Sequence, residues 1–149
     1  MKILLTGATG YIGKKLKLDL SKNHEVYEIC KRNLKNSKKN NIYLLNLEKL
    51  NDNFKNKLSN LKKKKIDCII HLAFKVNKNK SSNNFNLLNQ NNNITFSLVE
   101  IIKYLKPKIF LNFSSTSVYS NTSGKYHENS NMNPSGNADF FYGLSKINS

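Results

Sequence analysis

Arginine is nearly absent. Of the 25 basic residues in this 149-residue chain only Arg32 is arginine, set against nine acidic residues and a formal charge of +16. Proteins that read bases or grip phosphates favour the bidentate guanidinium fork, and no nucleic-acid module accompanies the charge. A nucleic-acid partner is therefore not expected. The lysines are scattered along the chain beside many asparagines, as in Asn91-Asn92-Asn93, which reads as compositional bias and not as a patch. Cysteine is also scarce. Cys30 and Cys68 lie in the apolar runs "VYEIC" and "DCIIHLA" without C-x-x-C spacing, which excludes a disulfide framework and implies buried reduced thiols and a cytoplasmic address. His24, His71 and His127 have no ligand spacing among them, so no metal is expected. Long apolar runs are missing as well: the N-terminal "ILL" is broken by Thr6 and Gly7, and no run approaches the ~20 apolar residues of a spanning helix. No membrane partner is expected.

What is present is alternation. Short apolar runs at Lys2 to Thr6, Glu25 to Cys30, Ile42 to Leu45, Asp67 to Leu72 and Lys108 to Phe113 read as strands. Between them, helical spacing runs over Tyr11 to Ser21, Leu47 to Lys64 and Phe85 to Tyr104, the last with Leu87, Leu88, Ile94, Leu98, Val99, Ile101, Ile102 and Leu105 on one broad face. Strands alternating with helices give βαβ units and a parallel sheet covered on both sides. "KNKSSNN" and Ser120 to Gly136 read as loops. One domain over 1–149 is expected, an α/β fold of Rossmann-type, doubly wound, with parallel strand order 3-2-1-4-5.

"MKILLTGATGYIGKKL" sets Gly7, Gly10 and Gly13 directly after a strand and at the start of a helix. That context makes a phosphate cradle: Gly7 for the tight turn, Gly10 for close approach of the backbone to a pyrophosphate, Gly13 for close packing of helix on strand. Free N–H groups near Tyr11 and Ile12 would face the anion with the helix dipole behind them. Near the other end, Tyr142 and Lys146 in "YGLSK" stand at i, i+4 and share one helix face. A phenol of pKa near 10 is a poor proton carrier at neutral pH, and a lysine cation beside it would favour phenolate.

These motifs together resemble the extended short-chain dehydrogenase/reductases, the NAD-dependent epimerase/dehydratase group that modifies nucleotide sugars. T-G-x-x-G-x-x-G, "DCIIHLAF", "NNNITFSLVE", "FSSTSVYS" and "YGLSK" occur in the order of that family's motifs over all 149 residues. The resemblance implies Ser115, Tyr142 and Lys146 as the catalytic group. It places Ala73 beside the adenosine half of the cofactor, and Asn91, a further cofactor-binding residue, in the position of the family's helix asparagine with Thr95 in that of its threonine. Asn46-Leu47 takes the place of an Asp-hydrophobic pair near adenine. Lys146 would also hold the nicotinamide ribose, and the cofactor would move the hydride while Tyr142 moves the proton.

Two departures from the family pattern carry information. Thr116 and Ser117 stand where the sugar dehydratases have Asp-Glu, so elimination of water is disfavoured. The second strand ends in Cys30-Lys31-Arg32 in place of the carboxylate that holds a ribose 2′-hydroxyl, so NADP(H) is favoured over NAD(H), with Lys31 and Arg32 on the 2′-phosphate. The expected activity is reduction of a nucleotide sugar or similar carbonyl compound, with an NAD-dependent epimerase and a non-catalytic binding module as alternatives. Family members run to roughly twice this length with a C-terminal substrate domain. The chain is accordingly expected to be a fragment, stopping before the last strands, and the full-length form to be a homodimer. Its fifth strand is expected to present an open apolar edge.

Overall fold

A computed structural model describes residues 1–31, 41–76, 85–120 and 124–149. The order is β1 (Lys2–Thr6), α1 (Tyr11–Leu20), β2 (Glu25–Cys30), β3 (Ile42–Leu44), α2 (Phe54–Lys57), α3 (Ser59–Lys64), β4 (Cys68–His71), α4 (Phe85–Leu105), β5 (Ile109–Asn112), a short 3-10 turn at Thr116–Val118, and α5 (Phe140–Ile147). The five strands form one parallel sheet in the order β3-β2-β1-β4-β5. Arg32 and the whole of the "KNKSSNN" segment fall outside the described residues.

The chain divides into two compact units, one of Met1–Ala73 with Phe96–Phe113 and one of Phe74–Thr95 with Ser114–Ser149. The first holds the whole sheet. Because side chains alternate across a strand, register decides which residues share a face. Ile3, Val26 and Cys68 lie in one row and, with Leu5, Ala8 and Ile70, make a buried cluster against which Leu16 and Leu20 of α1 pack. The neighbouring row of Leu4, Tyr27 and Ile69 points to the opposite face and is fully buried. Burial stops at β5: Ile109 and Phe110 continue these two rows yet are 43% and 40% exposed. The open edge expected of the fifth strand is present among the described residues: β5 ends the sheet, and its apolar side chains are exposed.

The continuous helix expected over Leu47 to Lys64 is instead two short helices. Asn51-Asp52-Asn53 precedes the first, residues whose side chains favour turns over helix interiors, and Leu58 (φ −97°, ψ 5°) separates the two. Leu58 and Leu61 are nevertheless fully buried. Lys65, in the left-handed region at φ 57°, ends the second helix. This layer is tied to the C-terminal half of α4 by the Phe54–Tyr104 edge contact at 6.0 Å and by Ser97 Oγ donating to the Leu47 carbonyl at 2.7 Å. Cys30 and Cys68 are buried and unpaired, their thiols pushed up chiefly by burial.

In the second unit the N-terminal half of α4 faces α5. Phe85 and Phe141 meet edge to face at 5.7 Å, and Asn148 Nδ2 donates to Asn92 Oδ1 at 3.2 Å. The loop before α5 is ordered by Asn137, whose amide donates to the Tyr119 carbonyl at 2.9 Å and whose oxygen accepts from the Asp139 N–H at 2.9 Å.

Candidate active site

In the first unit the glycine-rich turn has the geometry of a backbone cradle. Gly7 sits at φ +75°, and a Cβ there would lie 2.7 Å from Ala73 N, so the turn and the end of β4 approach at backbone distance. Gly13 packs tighter still, since its Cβ would fall 2.1 Å from the Gly7 carbonyl oxygen. Gly10 differs. It caps α1, donates its N–H to the Gly7 carbonyl at 3.0 Å, is exposed, and a Cβ on it would meet only the Gly7 oxygen, at 3.3 Å. No side chain caps α1, and Tyr11 and Ile12 are 97% and 54% exposed. Their N–H groups, with no intrahelical partner at this end of a helix, are oriented for an anion. An anionic dinucleotide therefore fits this turn.

Behind the turn, Thr6 Oγ1 joins His71 Nδ1 at 2.7 Å and accepts from the Ala73 N–H at 3.3 Å. Thr6 thus locks the ends of β1 and β4 together and holds Ala73 beside Gly7. On the other flank Lys31 Nζ pairs with Glu48 Oε1 at 2.7 Å, and Asn46 Oδ1 accepts from the Glu48 N–H at 3.2 Å. Glu48 was not singled out from the sequence, yet it supplies a carboxylate next to the end of β2. Leu47 is buried. Arg32 is outside the described residues.

The second unit carries Ser115, Tyr142, Lys146 and Asn91. Ser115 caps the 3-10 turn, its Oγ accepting from the Ser117 N–H at 3.2 Å and lying 3.3 Å from Ser117 Oγ. Gly143, between Tyr142 and Lys146, rests directly on that turn: a Cβ there would lie 2.0 Å from the Ser117 carbonyl oxygen. Lys146 is only 6% exposed. Its Nζ stands 3.4 Å above the centre of the Phe74 ring and 5.9 Å from that of Tyr142. Burial lowers the Lys146 pKa to about 8. The Tyr142 phenol is pushed up, by burial first and by the Asp139 carboxylate second. The depressed phenol expected from the sequence is thus not the state of the chain alone. Its lysine cation lies against Phe74, and desolvation dominates the phenol's environment.

Asn91 is fully buried. Its oxygen accepts from the Lys75 N–H at 2.8 Å, and its amide donates to the Lys75 carbonyl at 3.0 Å and to Ser145 Oγ at 3.1 Å. Ser145 Oγ in turn donates to the Tyr142 carbonyl at 2.7 Å. Asn91 therefore clamps the segment after β4 to the turn of α5 that bears Tyr142 and Ser145, and both its donors and its oxygen are engaged by protein groups. Gly143, Ser145, Phe74 and Glu48 all escaped the sequence reading. Gly143 alone left a cue, a glycine inside a helix, which signals close approach of another backbone.

Among the described residues no group of three or more metal-ligating side chains occurs, and no helix is long and apolar enough to cross a membrane. No curated protein matches the chain. Among solved structures it is similar to a hypothetical dTDP-4-dehydrorhamnose reductase from Sulfolobus tokodaii, with 27% identity, a TM-score of 0.70, and 99% of this chain aligned to 50% of that one. An L-threonine dehydrogenase from Clostridium difficile is similar at 28% identity and TM-score 0.72, over 99% of this chain and 46% of that one. A UDP-galactose 4-epimerase shares the fold at 20% identity and TM-score 0.74, over 99% and 48%. The chain thus spans about half the length of the solved structures it matches. The NAD dependent epimerase/dehydratase family matches over residues 3–149, nearly the whole sequence, and the chain belongs to that family.

Proposed function

We propose that this chain carries the cofactor cradle and the proton-transfer group of an NAD(P)-dependent oxidoreductase acting on a nucleotide sugar or similar carbonyl compound. The observation that carries the reading is the seating of Gly143 on Ser117. It fixes the α5 face bearing Tyr142 and Lys146 against the turn that Ser115 caps. The N–H groups at Tyr11 and Ile12 and the open face of Gly10 bind the pyrophosphate, while Ala73 and the Asn46-Leu47 pair border the adenosine. The nicotinamide supplies hydride when bound.

The remaining steps belong to side chains of this chain. Ser115 Oγ hydrogen-bonds the substrate oxygen, Tyr142 Oη gives that oxygen a proton in reduction or takes one in oxidation, and Lys146 Nζ holds ribose hydroxyls. A phenol pushed up by its surroundings suits the donor direction, because it stays protonated at neutral pH. In the oxidising direction it requires added positive charge, which the Lys146 ammonium would supply. Moving a phenol pKa by about three units takes roughly 4 kcal/mol of differential interaction.

Preference for NADP(H) rests on the lack of an acidic residue at the end of β2. The Lys31–Glu48 pair favours a second reading, NAD(H) with an epimerase reaction, since it engages one of the two cations offered to a 2′-phosphate and brings a carboxylate close by. Neither nucleic acid nor membrane is assigned as a partner. Substitution Tyr142→Phe in a form of the protein that turns over tests the reading. Loss of at least about a hundredfold in kcat with cofactor binding retained is expected of a general acid/base. Unchanged kcat would remove Tyr142 from the mechanism.

A further inference from the structure

Phe74 stands where two functional side chains converge. We propose that Phe74 is a positioning residue of the candidate site: the face of its ring seats the Lys146 ammonium and its edge contact orients Tyr142. The inference deepens the proposed function and rests on it for its catalytic meaning, though its geometry stands without it. Lys146 Nζ lies 3.4 Å from the ring centre, within the range where the negative face of an aromatic quadrupole attracts a cation. The Tyr142 ring meets the same phenyl edge to face, with centres 6.4 Å apart and planes at 87°, a favoured aromatic arrangement.

The ring is not loosely hung. Lys75, the next residue, has both its backbone N–H and its carbonyl held by the Asn91 side chain. The same asparagine reaches Ser145, the neighbour of Lys146. One buried amide thus fixes the main chain beside the ring and the main chain beside the ammonium, so their separation is set by a single bracket. Ser145 extends the bracket to the Tyr142 carbonyl.

The physical need for such a seat comes from burial. A lysine with 6% of its surface exposed is driven toward the neutral amine, and a neutral amine offers ribose hydroxyls a weaker contact and a phenolate none of its charge. An aromatic face supplies attraction for the cation and adds no countercharge of its own. The Lys146 pKa of about 8 leaves the group mainly protonated at pH 7. Phe74 follows directly on the "HLA" stretch, so a single bulky residue at the end of that loop serves both side chains.

The experiment is NMR of the 149-residue chain with 13C-labelled lysine, following the Lys146 ε-methylene through a pH titration, with Lys146→Arg to assign the signal. In the wild type the Lys146 ε-protons are expected upfield of ordinary lysine, from the ring current. In Phe74→Leu, which keeps an apolar side chain but removes the quadrupole, the Lys146 pKa should fall by about 0.4 to 1.5 pH units, and Phe74→Tyr should restore it. An ordinary shift in the wild type, or a pKa unmoved or raised in Phe74→Leu, overturns the proposal. The wild-type shift decides the matter even if the leucine variant does not fold. These readouts use neither substrate nor cofactor. If they succeed while Tyr142→Phe retains turnover, the seat is real and the catalytic reading fails; if they fail while Tyr142→Phe abolishes turnover, the catalytic reading survives without Phe74.

Discussion

Replacing Gly143 by alanine separates local helix preference from tertiary geometry, because the two predict opposite signs. On propensity alone, alanine inside α5 should stabilise by about 1 kcal/mol. The fold reverses this. The added methyl would lie 2.0 Å from the Ser117 carbonyl oxygen, 2.8 Å from its carbonyl carbon and 2.9 Å from Pro134 Cβ. An unstrained carbon–oxygen contact needs roughly 3.3 Å, so α5 must withdraw from the 3-10 turn by more than about 1 Å. The obstacle is backbone, which cannot rotate away. Overpacking of this kind costs about 3 kcal/mol at the upper end of its usual range, giving a net loss of about 2 kcal/mol, or roughly 6 °C in Tm for a chain of this size. Thermal and urea unfolding followed by far-UV circular dichroism measure it. The same retreat moves Tyr142 and Lys146 away from the Ser115 turn, and a displacement of about 1 Å is worth on the order of a hundredfold in rate. A Gly143→Ala chain as stable as the wild type, or more stable, would refute the close approach and with it the fixed geometry assigned to the site.

Four further outcomes are expected. Gly13→Ala should lose about 1 to 3 kcal/mol, its methyl falling 2.1 Å from the Gly7 oxygen; Gly10→Ala should lose less than about 1 kcal/mol yet weaken dinucleotide binding at least about tenfold, or 1.4 kcal/mol, as unfolding and binding titrations will show. Glu48→Gln releases Lys31, whose pairing is half-exposed and worth about 0.2 to 1 kcal/mol, so the ratio of NADPH to NADH affinity should rise about 1.4- to fivefold. Finally, the folded chain holds the Lys146 proton less tightly than the unfolded chain, with a pKa of about 8 against an ordinary value of about 10.4. The unfolded state therefore binds more protons between those values, and stability should rise with pH across that window, by at most about 3 kcal/mol. The raised Cys30, Cys68 and Tyr142 groups act in the opposite direction. The difference in urea midpoint between wild type and Lys146→Met, followed from pH 7 to 10, isolates the lysine; a flat difference would contradict its burial as a cation.

The sheet was legible because its strands are short apolar runs flanked by turn residues, and each strand expected from the sequence overlaps the observed one to within a residue at either end. The glycine-rich turn was legible for the same local reason, since Gly7 and Gly13 each answer a backbone requirement, a positive φ and a close approach, that sequence order alone exposes. The division of the second helix was not. Its helical spacing is real, and Leu58 and Leu61 are buried, but periodicity does not record where a chain pauses between two turns. At the candidate site the sequence marked Tyr142 and Lys146 by spacing and Ser115 by family resemblance, yet their surroundings depend on contacts distant in sequence: Asn91 with Ser145, Phe74 with Lys146, Gly143 with Ser117. The direction of the Tyr142 shift depends on burial, which spacing does not report. Lys31 shows the same limit, as its partner Glu48 lies 17 residues away and becomes a neighbour only when β3 pairs with β2.

Binding of the dinucleotide by this chain is the claim on which the rest depends, and titration of the folded 149-residue protein with NADH and with NADPH tests it most directly. Nicotinamide fluorescence and thermal stability are read together. The account predicts saturable binding of at least one of the two, with stabilisation of about 2.7 kcal/mol at a hundredfold excess over Kd, and loss of that binding in Gly10→Ala. A folded chain that binds neither dinucleotide, with a melting temperature unmoved by both, would contradict it.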